Sequence, residues 1–479
     1  MRARLKPEYA VAIVYVAAMF VNILDSTIVT VALPTLSTEF GVDTASIQWV
    51  VTGYLLSLAV WIPASGWIGD RLGTKRVFLF AIAMFTVASA LCGLAQSLNQ
   101  LIAFRILQGV GGGMLTPTGF AMLMRAFPPE RRAAASKVLI IPTAIAPASG
   151  PVVGGLLVDW LSWRWVFYVN LPLGIAAFVF GWIFLVEHKE PRAGGFDLPG
   201  FMLSGSGLAL ILYALSEGPN HGWRAPGTWI PGVLGILAFT ALVFVELRTK
   251  YPMLQLRPIG DRLFRGTMLA STFSTAAFLG VLFAMPLFLQ EVRGASAIES
   301  GLTTFPEALG VLSFGQLAGR LYPTVGPRRL MAAGLAAVAL LMLSLTATGL
   351  ETSDWVIRIQ MFAMGACMSF VFIPLQASAF ARIPPADTGR ASAIYNTQRQ
   401  MASALGVAIF ATILSARLPD IATASAPGFA EAQVNAFHAV FLAAAILALF
   451  GSLMALRIHD SDAEATMRAR AGEPAVEPA

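Results

Sequence analysis

GWIGDRLGTKR, residues 66–76, is a glycine-punctuated cationic hairpin set between two long apolar runs. Lys and Arg translocate poorly, so basic residues in a short connection between membrane spans hold that connection on the cytoplasmic side. Glycines let the chain turn tightly and let two helices approach closely. A generic positive-inside loop would supply the charges alone. The grouping of Gly66, Gly69, Asp70, Arg71 and Gly73 with Arg76 asks for a specific structure. Within it, Asp70 is expected to accept hydrogen bonds from the start of the next helix or from a cation across an interface, as a latch.

The rest of the chain fits a protein built for the bilayer. Of its 479 residues, 57% are hydrophobic and 12% charged, where a soluble domain has roughly 25% charged. About 20 apolar residues at 1.5 Å each cross the hydrocarbon, and fourteen such helices are expected. They lie near 9–33, 47–68, 77–96, 101–124, 136–158, 163–186, 198–215, 228–248, 263–290, 298–320, 330–349, 355–381, 392–416 and 435–456. An even number puts both termini on one side. Of the 32 Lys and Arg, only Arg164, Arg224, Arg293, Arg358 and Arg417 fall in connections opposite the N-terminus, so both termini are expected in the cytoplasm. Seven of the ten tryptophans fall at the outer ends, as interfacial anchors do. The +6 net charge is therefore topological, and no nucleic-acid partner is expected.

Residues 1–6 followed by an apolar run mimic a secretory signal, but the run continues through Asp25 to Pro34 without a clear small-residue cleavage site and reads as a retained first span. Cys92 and Cys367 fall in different spans without metal-ligand neighbours, so neither a disulfide framework nor a metal site is expected. His188, His221, His438 and His459 are scattered, which argues against an enzyme, and no cofactor is expected. Two loops repeat. GDRLGTKR ends at Arg76 and GRLYPTVGPRR at Arg329; FPPERRAAAS begins at Phe127 and IPPADTGRAS at Ile383. Gly73 with Gly326 and Pro128 with Pro384 give offsets of 253 and 256, the mark of two six-helix bundles related by an axis along the membrane normal. The expected organisation is an N-terminal bundle over 1–190, two inserted helices over 191–257, a C-terminal bundle over 258–458 and a disordered cytoplasmic tail over 459–479. The inserted pair contains Gly205, Gly207 and Glu217 but no clear intramembrane charge pair, and reads as a spacer.

Five segments in order then resemble the major facilitator superfamily, specifically its fourteen-span drug:proton antiporters of the EmrB/QacA type. They are LDSTIVTVALP (24–34), GWIGDRLGTKR (66–76), RILQGVGGG (105–113), SGPVVGG (149–155) and WRWVFYVNLPLG (163–174). The resemblance covers nearly the whole chain. It implies an all-α polytopic fold and export of hydrophobic or cationic small molecules in exchange for protons across the cytoplasmic membrane. A dedicated exporter of one metabolite, antibiotic or lipid-like compound would share every motif. The sequence names no periplasmic adaptor.

Asp25 sits well inside the first span, where a charge costs at least roughly 2.5 kcal/mol. It is the first candidate proton carrier; a packing role, hydrogen-bonded to Ser26 or Thr27, is the alternative. Arg105 lies within reach to pair with Asp25 or hold water near it, or else anchors the outer interface. The resemblance assigns this arginine to proton coupling, and makes Arg71 and Arg76 partners of Asp70. Gly109 and Gly111–Gly113 form a helix-packing surface, since no Walker lysine follows. Pro147 and Pro151 remove backbone donors while Gly150, Gly154 and Gly155 keep one helix face smooth; the resemblance links this pattern to antiport. Glu307 is a second proton site, a counter-charge for a cationic substrate, or a solvated helix start. Asn22, Gln108, Arg399 and Phe278 complete the cavity candidates. Phe273, Phe283, Met285 and Phe288 share the helix of Phe278 and either line a promiscuous site or pack.

Overall fold

The computed structural model describes residues 6–42, 44–127, 140–190, 194–250, 252–254, 256–384, 387–419 and 428–467. The FPPERRAAAS loop beyond Phe127 and the chain beyond 467 lie outside them. Fourteen long helices are present among the described residues: α1 (Pro7–Phe40), α2 (Trp49–Leu72), α3 (Thr74–Gly93), α4 (Leu98–Ala126), α5 (Ile140–Trp160), α6 (Asn170–Phe184), α7 (Leu198–His221), α8 (Pro226–Arg248), α9 (Arg262–Leu287), α10 (Pro306–Val325), α11 (Pro327–Ser344), α12 (Asp354–Ala379), α13 (Thr388–Arg417) and α14 (Phe429–Leu456). No strand occurs there. In hydrocarbon each backbone amide must be satisfied within its own segment, which leaves the helix as the spanning element for such a chain.

Among the described residues, eleven helical segments are long and apolar enough to cross a membrane. Two of the others, α4 and α10, are less apolar for an identifiable reason. Helix α4 contains Arg105, Gln108 and five glycines, and α10 contains Glu307 and Arg320. The polar residues of interest are what lowers their hydropathy. Local signals set the helix starts. Ser97 accepts from Gln100 N ahead of α4 and Asp261 from Phe264 N ahead of α9. A capping box, Ser296 with Glu299, opens the short helix Ala297–Thr304 that precedes α10.

Helices α1–α6 pack on one another, as do α9–α14; α7 and α8 form a hairpin against α2 and α13. The two groups meet through α2 with α13, α4 with α13, and α5 with α10. The α4 glycines make the first group compact. A methyl at Gly111 would lie 2.6 Å from Ala81 O, and one at Gly113 2.5 Å from Leu58 O. The tight turns of the two groups match in detail. Gly73 (φ +107) and Gly326 (φ +88) adopt backbone that favours glycine, each just before a helix whose first amides bind a distant acid. Glu187, after α6, accepts from Lys75 N at 3.0 Å and Arg76 N at 3.3 Å. Asp460, after α14, accepts from Arg328 N at 2.9 Å.

The structure differs from the expectation in two places. Most of the expected 66–76 hairpin is helical: Gly66, Gly69, Asp70 and Arg71 belong to the last turns of α2, and the turn itself is made at Gly73. Residues Asp460–Thr466, within the stretch expected to be a disordered tail, form a 3-10 helix. Its carboxylates find cations: Asp462 accepts from Arg262 Nε and Nη2 at 2.9 Å each and from Arg382 Nη1 at 3.2 Å. The hydrogen bonds from Arg262 hold the Asp462 carboxyl below the usual range. A lowered value stabilises the fold above the unfolded-state value, so this contribution is complete at neutral pH and disappears only in acid. Asp460→Ala removes the cap on α11, costs about 1 kcal/mol, and should lower the thermal midpoint in detergent by a few degrees.

Candidate functional site

Asp25 lies in the middle of α1, fully buried, with its carboxylate saturated by side chains from two other helices. Arg105 Nη1 of α4 donates to Oδ2 at 2.6 Å; Gln108 Nε2 donates to Oδ1 at 2.9 Å, and Asn170 Nδ2, at the start of α6, to the same oxygen at 2.8 Å. The one-turn helix Trp165–Tyr168 leads through Val169, itself helical in its backbone angles, into α6, whose first residue is Asn170. Arg105 and Gln108 are three residues apart and therefore neighbours on one face of α4. They bind each other, Nη1 to Oε1 at 2.7 Å.

An outer ring of side chains fixes these groups. Asn170 Nδ2 also reaches Ser89 Oγ at 3.1 Å, and Ser89 donates to Phe167 O at 2.9 Å. Arg105 Nε donates to Val50 O at 3.1 Å, and its guanidinium lies over the Tyr54 ring at 4.1 Å. Tyr54 OH donates to Asn22 Oδ1 at 3.0 Å, and Asn22 Nδ2 to Gly112 O at 3.1 Å. A methyl at Gly112 would fall 2.8 Å from that hydroxyl, so the glycine makes room for the network. Arg105 is 0% exposed and its Nη2 has no hydrogen-bond partner among the described residues. The aromatic face and the carboxylate are what compensate a cation buried this deeply. Tyr54, Ser89 and Asn170 are absent from the sequence-based candidates. An amide in the apolar stretch VFYVNLPLG is the one signal that points to Asn170. Asn170→Ala deletes a hydrogen bond to a charged group and should cost about 1.5–3 kcal/mol, read as a fall in the thermal midpoint in detergent.

A second cluster closes the end of the molecule that contains Gly73. Asp70 Oδ1 accepts from Arg125 Nη2 of α4 at 2.7 Å. Its carboxylate also abuts the first turn of α13, where a methyl at Gly389 would lie 2.6 Å from Oδ1. A methyl at Gly66 would lie 2.6 Å from Gly389 O and 3.1 Å from Ala393 Cβ. Ser392 donates to Pro117 O at 2.8 Å, and Phe120 of α4 packs on Phe380 and Tyr395 with centroids 5.1 and 6.1 Å apart. Arg71 and Arg76, the partners that the resemblance implied, are placed elsewhere. Arg71 is exposed one residue past Asp70 on the helix, and Arg76 pairs with Glu187 at 3.6 Å.

The remaining candidates are dispersed. Glu307 of α10 is 6% exposed and its side chain makes no hydrogen bond or ion pair among the described residues; its backbone packs against Gly365. Arg399 of α13 donates to Asn396 Oδ1 at 3.3 Å and is within electrostatic reach of Tyr15 of α1. Glu307 and Arg399 form no salt bridge with each other. Phe278 is buried and packs edge-on against Phe372 of α12 at 5.4 Å. Phe288 of the same stripe is likewise buried, against Phe437 and Phe441. In α5, Gly150 faces Thr27 and Gly154 faces Ile28 of α1, whereas Gly155 has nothing within 4 Å. Pro147 and Pro151 fall in the same helix, with side chains outside the described residues.

Residues 15–407 match the family described as Major Facilitator Superfamily. The chain is 32% identical over 396 residues to the Multidrug resistance protein B homolog of Mycobacterium tuberculosis (strain ATCC 25618 / H37Rv), covering 82% of this chain and 73% of that protein. It is 30% identical over 432 residues to the Putative multidrug resistance protein MdtD of Serratia proteamaculans (strain 568), covering 90% of each. Among solved structures it is similar to the human organic anion transporter MFSD10 (TETRAN), with TM-score 0.66 and 16% identity over 93% of this chain and 100% of that one. It is also similar to the proton:xylose symporter XylE, with TM-score 0.59 and 15% identity over 92% and 94%. At such identities the two structures share the fold alone.

Proposed function

The chain belongs to the Major Facilitator Superfamily, and from that premise we propose that this multi-pass membrane protein is a proton-coupled exporter of hydrophobic and cationic compounds, working by alternating access. The observation that carries the reading is the Asp25 carboxylate, wholly buried yet held by three donors that protonation would rearrange. While ionised, Asp25 accepts from Arg105, Gln108 and Asn170 and ties α1 to α4 and α6. A proton on Oδ2 turns that oxygen from acceptor to donor and removes the charge that holds Arg105. The guanidinium, already stacked on Tyr54, then turns toward its remaining acceptors, and α1 is released from α4. Return of the proton to water restores the lock. Multidrug-resistance relatives at 30–32% identity support an outward direction of transport.

Asp70, Arg125, Gly66 and Gly389 form the cytoplasmic gate in this reading, closed in the conformation described. Both termini lie on that side of the inner membrane. Asp70 latches α13 against α2 through the positive end of the α13 helix dipole. The driving force suffices: about 2.3 kcal/mol per charge per 100 mV gives one proton at ~150 mV a gradient of a few hundredfold for a neutral cargo, while a one-for-one exchange with a monovalent cation moves no net charge and is driven by the pH difference. Unpaired Glu307 supplies the counter-charge for cationic cargo. Glu307→Gln should raise the KM for a lipophilic cation such as ethidium about tenfold and leave a neutral hydrophobic probe within about twofold.

The test uses everted vesicles containing the protein. An acidic lumen should drive ethidium inward against its gradient, and a protonophore should release it. Accumulation that survives the protonophore would contradict proton coupling.

A further inference from the structure

The inserted hairpin of α7 and α8 touches both bundles, but in two different ways. Toward α2 it is fastened along most of its length. Phe196, just before α7, packs on Trp67 with centroids 4.9 Å apart, Phe201 on Trp61 at 5.5 Å, and Tyr213 on Trp49 at 6.1 Å. Between them a methyl at Gly205 would meet Val60 Cγ1 at 3.0 Å and Val60 O at 3.6 Å, so the two helices pack closely there. The span from Trp49 to Trp67 is roughly 27 Å of helix, close to the thickness of the hydrocarbon.

The base of the hairpin is also closed on itself. Asp197 caps α7 through Gly200 N at 2.9 Å and accepts from Met253 N at 3.3 Å, while Glu246 of α8 accepts from Leu254 N at 3.0 Å. Both carboxylates are 4% exposed. The strand of chain that leads to α9 is thereby folded back onto the hairpin, and the hairpin is not a slack spacer. Neither acid stood out in the sequence, because Asp197 precedes the first helix and Glu246 lies in the last turn of the second.

Toward α13 the contact is smooth. Leu208 and Leu212 of α7 cover Ala59 of α2 beside Met401 and Ala404 of α13. A hydrogen bond from Trp223 Nε1 to Thr412 Oγ1, 3.0 Å long, joins the ends remote from Gly73. Apart from that hydrogen bond the contact is aliphatic, and aliphatic surfaces slide at low cost once it is exchanged, whereas an aromatic ladder against a glycine-tight helix does not. Alternating access requires α2 and α13 to part at Gly66 and Gly389. We propose that the hairpin is a side wall belonging to the first bundle: it stays locked on α2, slides across α13, and keeps the α2/α13 seam closed to lipid and lipid-soluble cargo throughout the cycle.

The proposal rests on the alternating-access reading for its motion and is tested so that the two separate. The full chain, with Cys92 and Cys367 replaced by Ser, is reconstituted in lipid nanodiscs and spin-labelled in three pairs. Leu72→Cys with Arg329→Cys reports the gate, Gln48→Cys with Arg224→Cys the wall on α2, and Arg224→Cys with Arg417→Cys the wall against α13. Distances are measured by pulsed electron resonance at acid and alkaline pH with ethidium present. The gate distance should change; the wall-to-α2 distance should hold within about 2 Å while the wall-to-α13 distance shifts by about 5 Å, the scale of helix sliding in such transitions. A moving gate with a fixed wall-to-α13 distance, or with equal changes on both sides of the wall, would overturn the proposal alone. A gate distance that is the same in every condition would remove alternating access, and the sliding with it.

Discussion

Asp25→Asn is expected to abolish proton-driven export, by more than about a hundredfold, because Asn cannot exchange a proton in the accessible range. The substitution also leaves Arg105 as an uncompensated buried cation, and breaking a buried pair from one side costs about 3–5 kcal/mol. Loss of transport in the single variant is therefore ambiguous by itself. The double variant Asp25→Asn/Arg105→Gln separates the two effects. Replacing both members of a buried ion pair by neutral groups is often close to neutral, so the thermal midpoint should recover most of the loss while export stays absent. Recovery of gradient-dependent export together with stability would show that the carboxylate is dispensable, and the proton would have to be carried elsewhere.

Gly66→Val should halt the cycle at a different point. The first carbon of any side chain there meets Gly389 O at 2.6 Å and Ala393 Cβ at 3.1 Å, and neither atom is the end of a flexible side chain. The α2/α13 contact then cannot form. Each bundle keeps its own core, so folding should be little affected, but export should fall by at least about tenfold because the gate no longer closes. Ser392 provides the readout, since it is 0% exposed and bonded to Pro117 across the closed gate. With Cys92 and Cys367 replaced, Ser392→Cys should react slowly with a polar thiol reagent in the parent and rapidly beside Gly66→Val. Equal reactivity in both would mean that Gly66 does not govern closure.

The sequence made the fourteen helices readable because a bilayer imposes length and polarity on each segment separately, with no need of tertiary information. It was least informative where function interrupts that rule. The polar face of α4 lowers the helix's hydropathy, and Gly69–Arg71, which reads as a loop from its charges, is helical because the α2 backbone continues to satisfy its amides up to Gly73. Asp25 and Arg105 stood out as charges in apolar runs, and their pairing was within reach of helix geometry. The donors from Gln108 and Asn170 to one carboxylate were not, since they depend on how three helices rotate against each other. Asp70 was recognisable, but its partner was not: Arg125 lies 55 residues away and is brought near by the packing of α2 on α4. The Phe278 stripe stayed open for the opposite reason. Aromatics at helical spacing have the same pattern whether they line a cavity or pack, and here Phe278 and Phe288 pack.

Cargo-induced proton release from the purified protein is the most direct measurement. In weakly buffered detergent solution, with a pH-sensitive dye, saturating ethidium should liberate protons from the wild-type protein and none from Asp25→Asn/Arg105→Gln, with ethidium binding to both established by fluorescence. Binding to the wild-type protein without proton release, or undiminished release from the double variant, would contradict exchange of a proton for cargo at Asp25.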